Sequence, residues 1–406
     1  MRTDAAARVG RGGPSEVFLA FLRLGVTSFG GPIAHLGYFR EDLVVRRRWL
    51  DDREYADVVA LCQFLPGPAS SQVGFALGLL RGGAWGAIAA FVAFTLPSAV
   101  LMVAFAYGST LLGGDVAGGV LAGLGIVAVA IVAQAVWGMA KTLTPDRRRA
   151  GIALVAAVCV VAVAGSWGQL LAIALGAVGG LWLCRGSAAE TAGVLRFGVT
   201  RAAGGLCLAA FGVLLVGLPL LAAVTASGAI DLFDAFFRAG ALVFGGGHVV
   251  LPLLQSGVVE PGWVGAQEFV AGYGFAQAVP GPLFTFAAYL GALSDVGPGG
   301  IAGAAIALVA IFLPGLLLLV GVLPFWDSLR ARPWARAAMR GANAAVVGVL
   351  AAALYDPVFT TAVTSPAAFC LALVCFASLV SFRLPAWAVV VVGAVGGGIL
   401  TLFGAL

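Results

Sequence analysis

The chain has 406 residues, of which 61% are hydrophobic and only 10% charged, with a mean hydropathy of +1.06. A soluble domain carries about 25% charged residues, so that class is excluded. The net charge of +5 comes from bases clustered between apolar runs, which points to membrane orientation rather than to nucleic acid.

In chain order, the N-terminal residues 1–14 contain Arg2, Arg8 and Arg11 with no cleavage site after the first apolar run. They read as a cytoplasmic tail rather than a signal peptide. Apolar segments follow at 15–38, 56–80, 84–112, 116–139, 151–165 and 169–184. One further segment lies at 203–223. Six more lie at 231–257, 266–293, 299–324, 335–355, 366–381 and 385–405. About 20 apolar residues in a helix cross a hydrocarbon core of about 30 Å. Short alternating segments of the β-barrel kind are missing. The expected fold is an all-α polytopic membrane protein.

The chain also contains itself twice. "FLRLGVTSFGG" at 21–31 matches "FFRAGALVFGG" at 236–246, an offset of 215. Trp49 matches Trp263, Gln63 matches Gln277, and Pro66-Gly67-Pro68 matches Pro280-Gly281-Pro282, all at 214. "FTLP" at 94–97 aligns with "IFLP" at 311–314. A first repeat at 15–185, a linker at 186–230 holding one transmembrane helix, and a second repeat at 231–406 are therefore expected. A single span between two six-segment repeats inverts the second, a plan used by transporters with a midplane site between repeats.

Loop charge fits that inversion. With Lys141 and Arg147–Arg149 inside, the loops holding Arg185, Arg196, Arg201, Arg330, Arg332, Arg336, Arg340 and Arg383 are inside as well. Asp115, Asp231, Asp234, Asp295 and Asp356 are assigned to outside loops without bases. The loop with Arg40, Arg46, Arg47, Arg48 and Arg53 falls inside only if the first two segments of the repeat dip in and return. Charge thus favours re-entrant, broken hairpins. The alternative is full crossing, with these arginines reaching back to a headgroup layer.

Pro-Gly-Pro breaks in apolar sequence carry the same message, because irregular backbone at membrane depth persists only when shielded or facing a watery cavity. The half-helix beginning at Ala69 would aim its N-terminus at the centre, where anions bind. Ser70, Ser71 and Gln72 add polar groups to that first turn; Thr285 holds the corresponding place in the second copy. "TSFGGPIAH" and "LVFGGGHVV" form a second pair of breaks, with Gly30 and Gly31 matched by Gly245 and Gly246. Close helix packing through small residues is the plain alternative for these glycines.

Of 23 basic residues, only Arg23 and Arg238 fall in apolar segments away from the inside loops, at equivalent F-x-R-x-G positions. An arginine there defaults to a functional candidate, and its planar fork suits an oxyanion. Snorkelling is the alternative for Arg23, and an ion pair with Asp234 for Arg238. His35 and His248, the only histidines, are not repeat equivalents and read more simply as hydrogen-bonded structural residues, although His248 stays among the site candidates. Gln63 and Gln277 are expected to be polar lining. No acid is expected deep in the apolar segments, with Asp57 and Glu268 the nearest. The six cysteines, with no C-x-x-C pair, read as apolar packing residues.

The doubled F-x-R-x-G…F-G-G, the W-x(13)-Q-x-x-P-G-P spacing and the T-L-P/F-L-P segments resemble the chromate ion transporter family, over about 21–100 and 236–330. The resemblance implies a fused two-domain member in the cell's inner membrane. Its implied function is efflux of chromate, a sulfate mimic, and chromate resistance. It implies no cofactor. The oxyanion site is expected at Arg23, Gly30, Gly31, Gln63, Pro66, Gly67, Pro68, Ser70 and Ser71 of the first half. The second half would contribute Arg238, Gly245, Gly246, His248, Gln277, Pro280, Gly281, Pro282 and Thr285. A homodimer is left open. Other classes fare worse: H-E-x-x-H and G-x-S-x-G are absent, which argues against an enzyme. A phosphate-headgroup lipid flippase or a passive oxyanion channel remain rival readings.

Overall fold

The computed structural model describes residues 12–111, 115–163, 166–184, 197–244, 247–330 and 332–404. The tail arginines Arg2, Arg8 and Arg11, and the loop bases Arg185 and Arg196, lie outside them. Every described element is helical, with no strand among the described residues.

The first half opens with α1 (Pro14–Thr27) and α2 (Gly31–Phe39), which runs on into a π-helical turn at Arg40–Arg46. α3 (Asp52–Phe64) starts on a capping box in which Asp51 and Glu54 satisfy each other's backbone N–H. α4 (Ala69–Leu111) is two helices in sequence, because Gly82 and Gly83 leave helical geometry between them. α5 (Asp115–Leu143), α6 (Arg147–Ala162) and α7 (Ser166–Leu183) complete this half, and α8 (Arg201–Val224) leads to the next.

The second half begins with α9 (Gly228–Ala241), a 3-10 turn at Gly247–Val249 and α10 (Val250–Leu254). A π-helical turn follows at Gln255–Val259, offset by 215 from that at Arg40. α11 (Ala266–Ala276) and α12 (Phe286–Leu293) flank the second Pro-Gly-Pro. Then come α13 (Gly300–Val322), α14 (Trp326–Arg330), α15 (Pro333–Ala353), α16 (Thr360–Ala362), α17 (Pro366–Val380) and α18 (Ala386–Leu402). Among the described residues each predicted apolar segment falls mainly on helix, and Gly30 and both Pro-Gly-Pro sequences interrupt helices.

Among the described residues, five helical stretches are long and apolar enough to span a membrane: Ala69–Ser109, Val116–Leu143, Arg201–Val224, Gly300–Phe325 and Pro333–Ala362. In α8 only 6% of the apolar window is buried, so this linking helix keeps most of its hydrophobic surface for lipid while leaning on α9 and α13.

The halves exchange parts of their cores. The cluster around Phe21, Phe39, Leu61 and Phe94 takes in Leu319 and Leu323 of α13. The cluster around Phe236, Tyr273 and Phe286 takes in Met102 and Ala106 of α4, the equivalent positions. Both donor helices carry an internal proline, Pro97 in α4 and Pro314 in α13. A proline removes one N–H from the helix ladder, so the carbonyls of Ala93 and Ala310 lose their intrahelical donor. Gly25 backs onto the Ala93 carbonyl, and its counterpart Gly240 onto that of Ile311.

Two acids assigned to loops by charge, Asp231 and Asp234, lie on α9 instead. Asp234 is 3% exposed. The sequence "DLFDAFFRAGA" places Asp234 and Arg238 one helical turn apart, and the arginine compensates a carboxylate that apolar neighbours would otherwise exclude. Asp42 and Asp57 are buried too, so acids do enter the protein interior.

Candidate functional site

The two Pro-Gly-Pro tips are held by the opposite half. At the first, Gly67 has φ +123° and donates its N–H to the Val243 carbonyl at 2.7 Å. Gln72 then donates from Nε2 to the carbonyls of Pro66 at 3.0 Å and Gly315 at 2.9 Å. At the second, Gly281 has φ +94° and donates to the Ser28 carbonyl at 2.9 Å. Ser98 Oγ donates to the Pro280 carbonyl. Ser28 and Val243 occupy equivalent positions, as do Ser98 and Gly315, so each tip docks on the same feature of the other repeat. Midway, equivalent residues meet: a Cβ on Gly247 would lie 3.2 Å from Pro32.

Local sequence explains the helix ends. Gly30, left-handed at φ +96°, caps α2, whose first turn accepts Pro32 without loss of a ladder bond. After Pro68, the first α4 bond runs from the Gln72 N–H to the Pro68 carbonyl. The amides of Ala69, Ser70 and Ser71 therefore precede the ladder and are left for other acceptors.

Around these ends the two halves differ in chemistry. His35, 1% exposed, has Nδ1 3.3 Å from Ser70 Oγ. The hydroxyls of Ser28, Ser71 and Thr95 and the amide nitrogen of Gln277 are buried without a hydrogen-bond partner. All four can donate. The residues equivalent to Ser28, Ser70 and Thr95 are Val243, Phe284 and Phe312, so the second half is apolar where the first is polar. Thr285, equivalent to Ser71, spends its hydroxyl on the Pro282 carbonyl at 2.8 Å. His248 contacts Tyr273 Oη through Nδ1 at 2.6 Å, one turn from Gln277 on α11.

The remaining predicted residues fall as follows. Pro68 and Pro282 are buried, Pro66 and Pro280 half-buried, Gly31 half-buried and Gly30 exposed. Gln63 is exposed, whereas Gln277 is half-buried. Gly245 and Gly246 lie outside the described residues. Arg23 is exposed on the side of α1 that carries Leu19, Val26 and Thr27, opposite the buried Phe21 and Leu24. Arg238 Nη2 lies 2.6 Å from Asp234 Oδ2, with the arginine side chain 47% exposed and the other carboxylate oxygen buried and unpartnered. Among the described residues no cluster of His, Cys, Asp and Glu could hold a metal ion.

Ser28, Thr95, Ser98 and Tyr273 were not among the residues expected at the site. Ser98 follows the TLP motif directly and Tyr273 precedes Gln277 by one turn. Those adjacencies were the available signal.

Helices long enough to span, apolar outer faces and paired helix breaks held in the interior define a multi-pass membrane protein. The chain belongs to the chromate transporter family, whose model (Chromate transporter) matches residues 15–181 and again 230–398. It is 31% identical over 345 residues to a probable chromate transport protein of Synechococcus elongatus, covering 82% of each chain. It is also 31% identical over 383 residues to a chromate transport protein of Cupriavidus metallidurans, covering 93% of this chain and 91% of that one. A chromate transport protein of Pseudomonas aeruginosa is 29% identical over 361 residues, 86% of this chain and 82% of the relative. No solved structure matches.

Proposed function

We propose that this protein exports chromate, or a related tetrahedral oxyanion such as sulfate, across the cytoplasmic membrane. The observation that carries this reading is the set of buried donors left without acceptors: Ser28, Ser71, Thr95 and Gln277. An unpaired buried polar group costs about 1–3 kcal/mol, and an oxyanion supplies acceptors to several at once. These groups flank the two Pro-Gly-Pro tips. Ser71 belongs to the first turn of α4, whose free amides and dipole favour negative charge. The anion is thereby proposed to rest nearer the first half, with His35 fixing Ser70 and the apolar second half excluding water. Arg23 supplies a full charge on the approach. Arg238 is reachable only in the company of Asp234.

Flux into proteoliposomes under imposed pH and voltage gradients tests the reading. Radiolabelled chromate should move, and sulfate should compete. Ser71→Ala should raise the half-saturating chromate concentration roughly 10- to 150-fold, as loss of a charge-assisted hydrogen bond of about 1.5–3 kcal/mol implies. No oxyanion flux under any gradient would reject the proposal.

The topology proposed with it is an inverted pair of repeats whose opening hairpins re-enter, with the N-terminus cytoplasmic. Reciprocal docking of the tips supports it, together with the arginine-rich loop at Arg40–Arg53. Arg47→Cys and Arg147→Cys should then be labelled by an impermeant reagent from the same side. Labelling from opposite sides would mean that the hairpins cross.

A further inference from the structure

A second anion site is suggested far from the helix breaks, where the loop ends of α6, α7 and α15 meet. A cleft of about 470 Å³ is lined there by Asp146, Arg147, Arg148, Arg149, Cys184 and Arg340, with Leu183 at its wall. This is within the range of about 300–1,000 Å³ typical of small-ligand pockets. Among the described residues, four arginines and one carboxylate line the cleft. Asp146 is already engaged, accepting from Arg149 Nε at 2.6 Å and from the Arg149 backbone N–H at 3.0 Å. Those bonds hold its carboxyl below the usual range, so it remains a fixed acceptor rather than a switch.

Two of the arginines are aimed by the end of α7. Arg148 Nη1 lies 3.4 Å from the Leu183 carbonyl, and Arg340 Nη1 3.5 Å from that of Cys184. These terminal carbonyls form the negative end of the helix, which steadies cations. Arg340 comes from the second repeat and the others from the first, so the charge is concentrated by tertiary packing. A simple orientation signal would leave bases spread through their loops.

The surroundings choose the ligand. Leu183 is itself exposed, and its neighbour Trp182 is 76% exposed. α6 turns Leu154, Val155 and Val158 outward in the same way. A tryptophan at the end of such an apolar face is the usual mark of the headgroup level. We propose that this cleft binds the phosphate headgroup of an anionic phospholipid, whose acyl chains lie along the outward faces of α6 and α7. Basic pockets between membrane helices recognise lipid phosphates by this combination of charge and adjacent hydrocarbon. Because Arg340 crosses from the other repeat, the lipid would bridge the halves at a point remote from transport.

The test is lipid retention by the purified full-length protein, offered phosphatidylglycerol and phosphatidylcholine in equal amounts and read by native mass spectrometry. Wild type should prefer phosphatidylglycerol. Arg148→Gln with Arg340→Gln should reduce that preference roughly 30-fold, as expected for two arginines near an anionic headgroup. Arg201→Gln, a basic change elsewhere, should leave it intact. An arm without mutations guards against misfolding: raising salt from about 50 to about 500 mM should weaken the preference, because exposed charge pairs are screened. A preference unchanged in the double variant, or insensitive to salt, would overturn the assignment. So would displacement of the lipid by millimolar inorganic phosphate or chromate, which would make the cleft a site for soluble oxyanions.

Discussion

Replacing Gly281 by alanine is expected to abolish oxyanion transport while leaving protein in the membrane. The residue holds φ +94°, where a side chain is strained. A non-glycine residue in left-handed geometry costs about 1–2 kcal/mol. Space is the larger obstacle: a Cβ at this position would collide with Ser98 Oγ and lie 3.2 Å from the Phe94 carbonyl oxygen and 3.3 Å from that of Gly25. Relief would push the tip away from α4, breaking the N–H bond to Ser28 and the Ser98 bond to Pro280 together. Gly67→Ala should behave alike, since its Cβ would meet Gly315 Cα at 2.9 Å and Gln72 Nε2 at 2.9 Å. The check is chromate flux per inserted molecule in proteoliposomes. Flux within threefold of wild type in both variants would show that the breaks are packing devices alone.

The two arginines, equivalent in sequence, are expected to fail in different ways. Arg238→Ala strands Asp234, which is 3% exposed and has no other partner for the oxygen it shares. A charge-assisted hydrogen bond is worth about 1.5–3 kcal/mol, discounted here because the arginine is nearly half exposed. A clear fall in thermal stability is therefore expected, and Asp234→Asn combined with Arg238→Ala should recover most of it. Arg23 has no such dependent carboxylate. Arg23→Ala is expected to weaken chromate binding at least tenfold in folded protein, with Arg23→Lys intermediate because the charge stays while the planar fork is lost. Binding measured by calorimetry on detergent-purified variants separates the two. Wild-type affinity in folded Arg23→Ala, with poor membrane insertion, would instead make Arg23 an anchor to the headgroup layer. Its place beside Leu19 and Val26 on the exposed side of α1 makes that outcome informative.

Backbone interruptions were legible in the sequence because proline and glycine act locally. Pro66-Gly67-Pro68 fixes two φ angles and removes two N–H donors within three residues, and Gly30-Gly31 stands beside Pro32. Glycine pairs alone do not break a helix here, since Gly179-Gly180 and Gly204-Gly205 lie inside α7 and α8. The doubled motif likewise announced two copies of one unit. What each tip leans on was not legible: that Gly67 meets Val243 and Gly315, rather than their counterparts Ser28 and Ser98, is a fact of tertiary arrangement. Asp234 shows the opposite error. Its spacing to Arg238 signalled an i, i+4 pair, yet the balance of charge between loops drew it outward. Ser28 and Thr95 left no trace, since hydroxyl residues in membrane helices usually bond back to their own backbone, as Thr27 does to the Arg23 carbonyl at 2.8 Å.

The exchange of tips makes the two halves mutually dependent. Neither copy of the duplicated unit can close over its own Pro-Gly-Pro, because the carbonyl that receives the glycine N–H belongs to the other copy. The two copies differ in side chains, with Ser28 against Val243 and Ser70 against Phe284. They share backbone shape where they clasp, with Gly67 and Gly281 both at positive φ. Each half is thus the support against which the other's tip is held, and a tip docked in this way requires both halves.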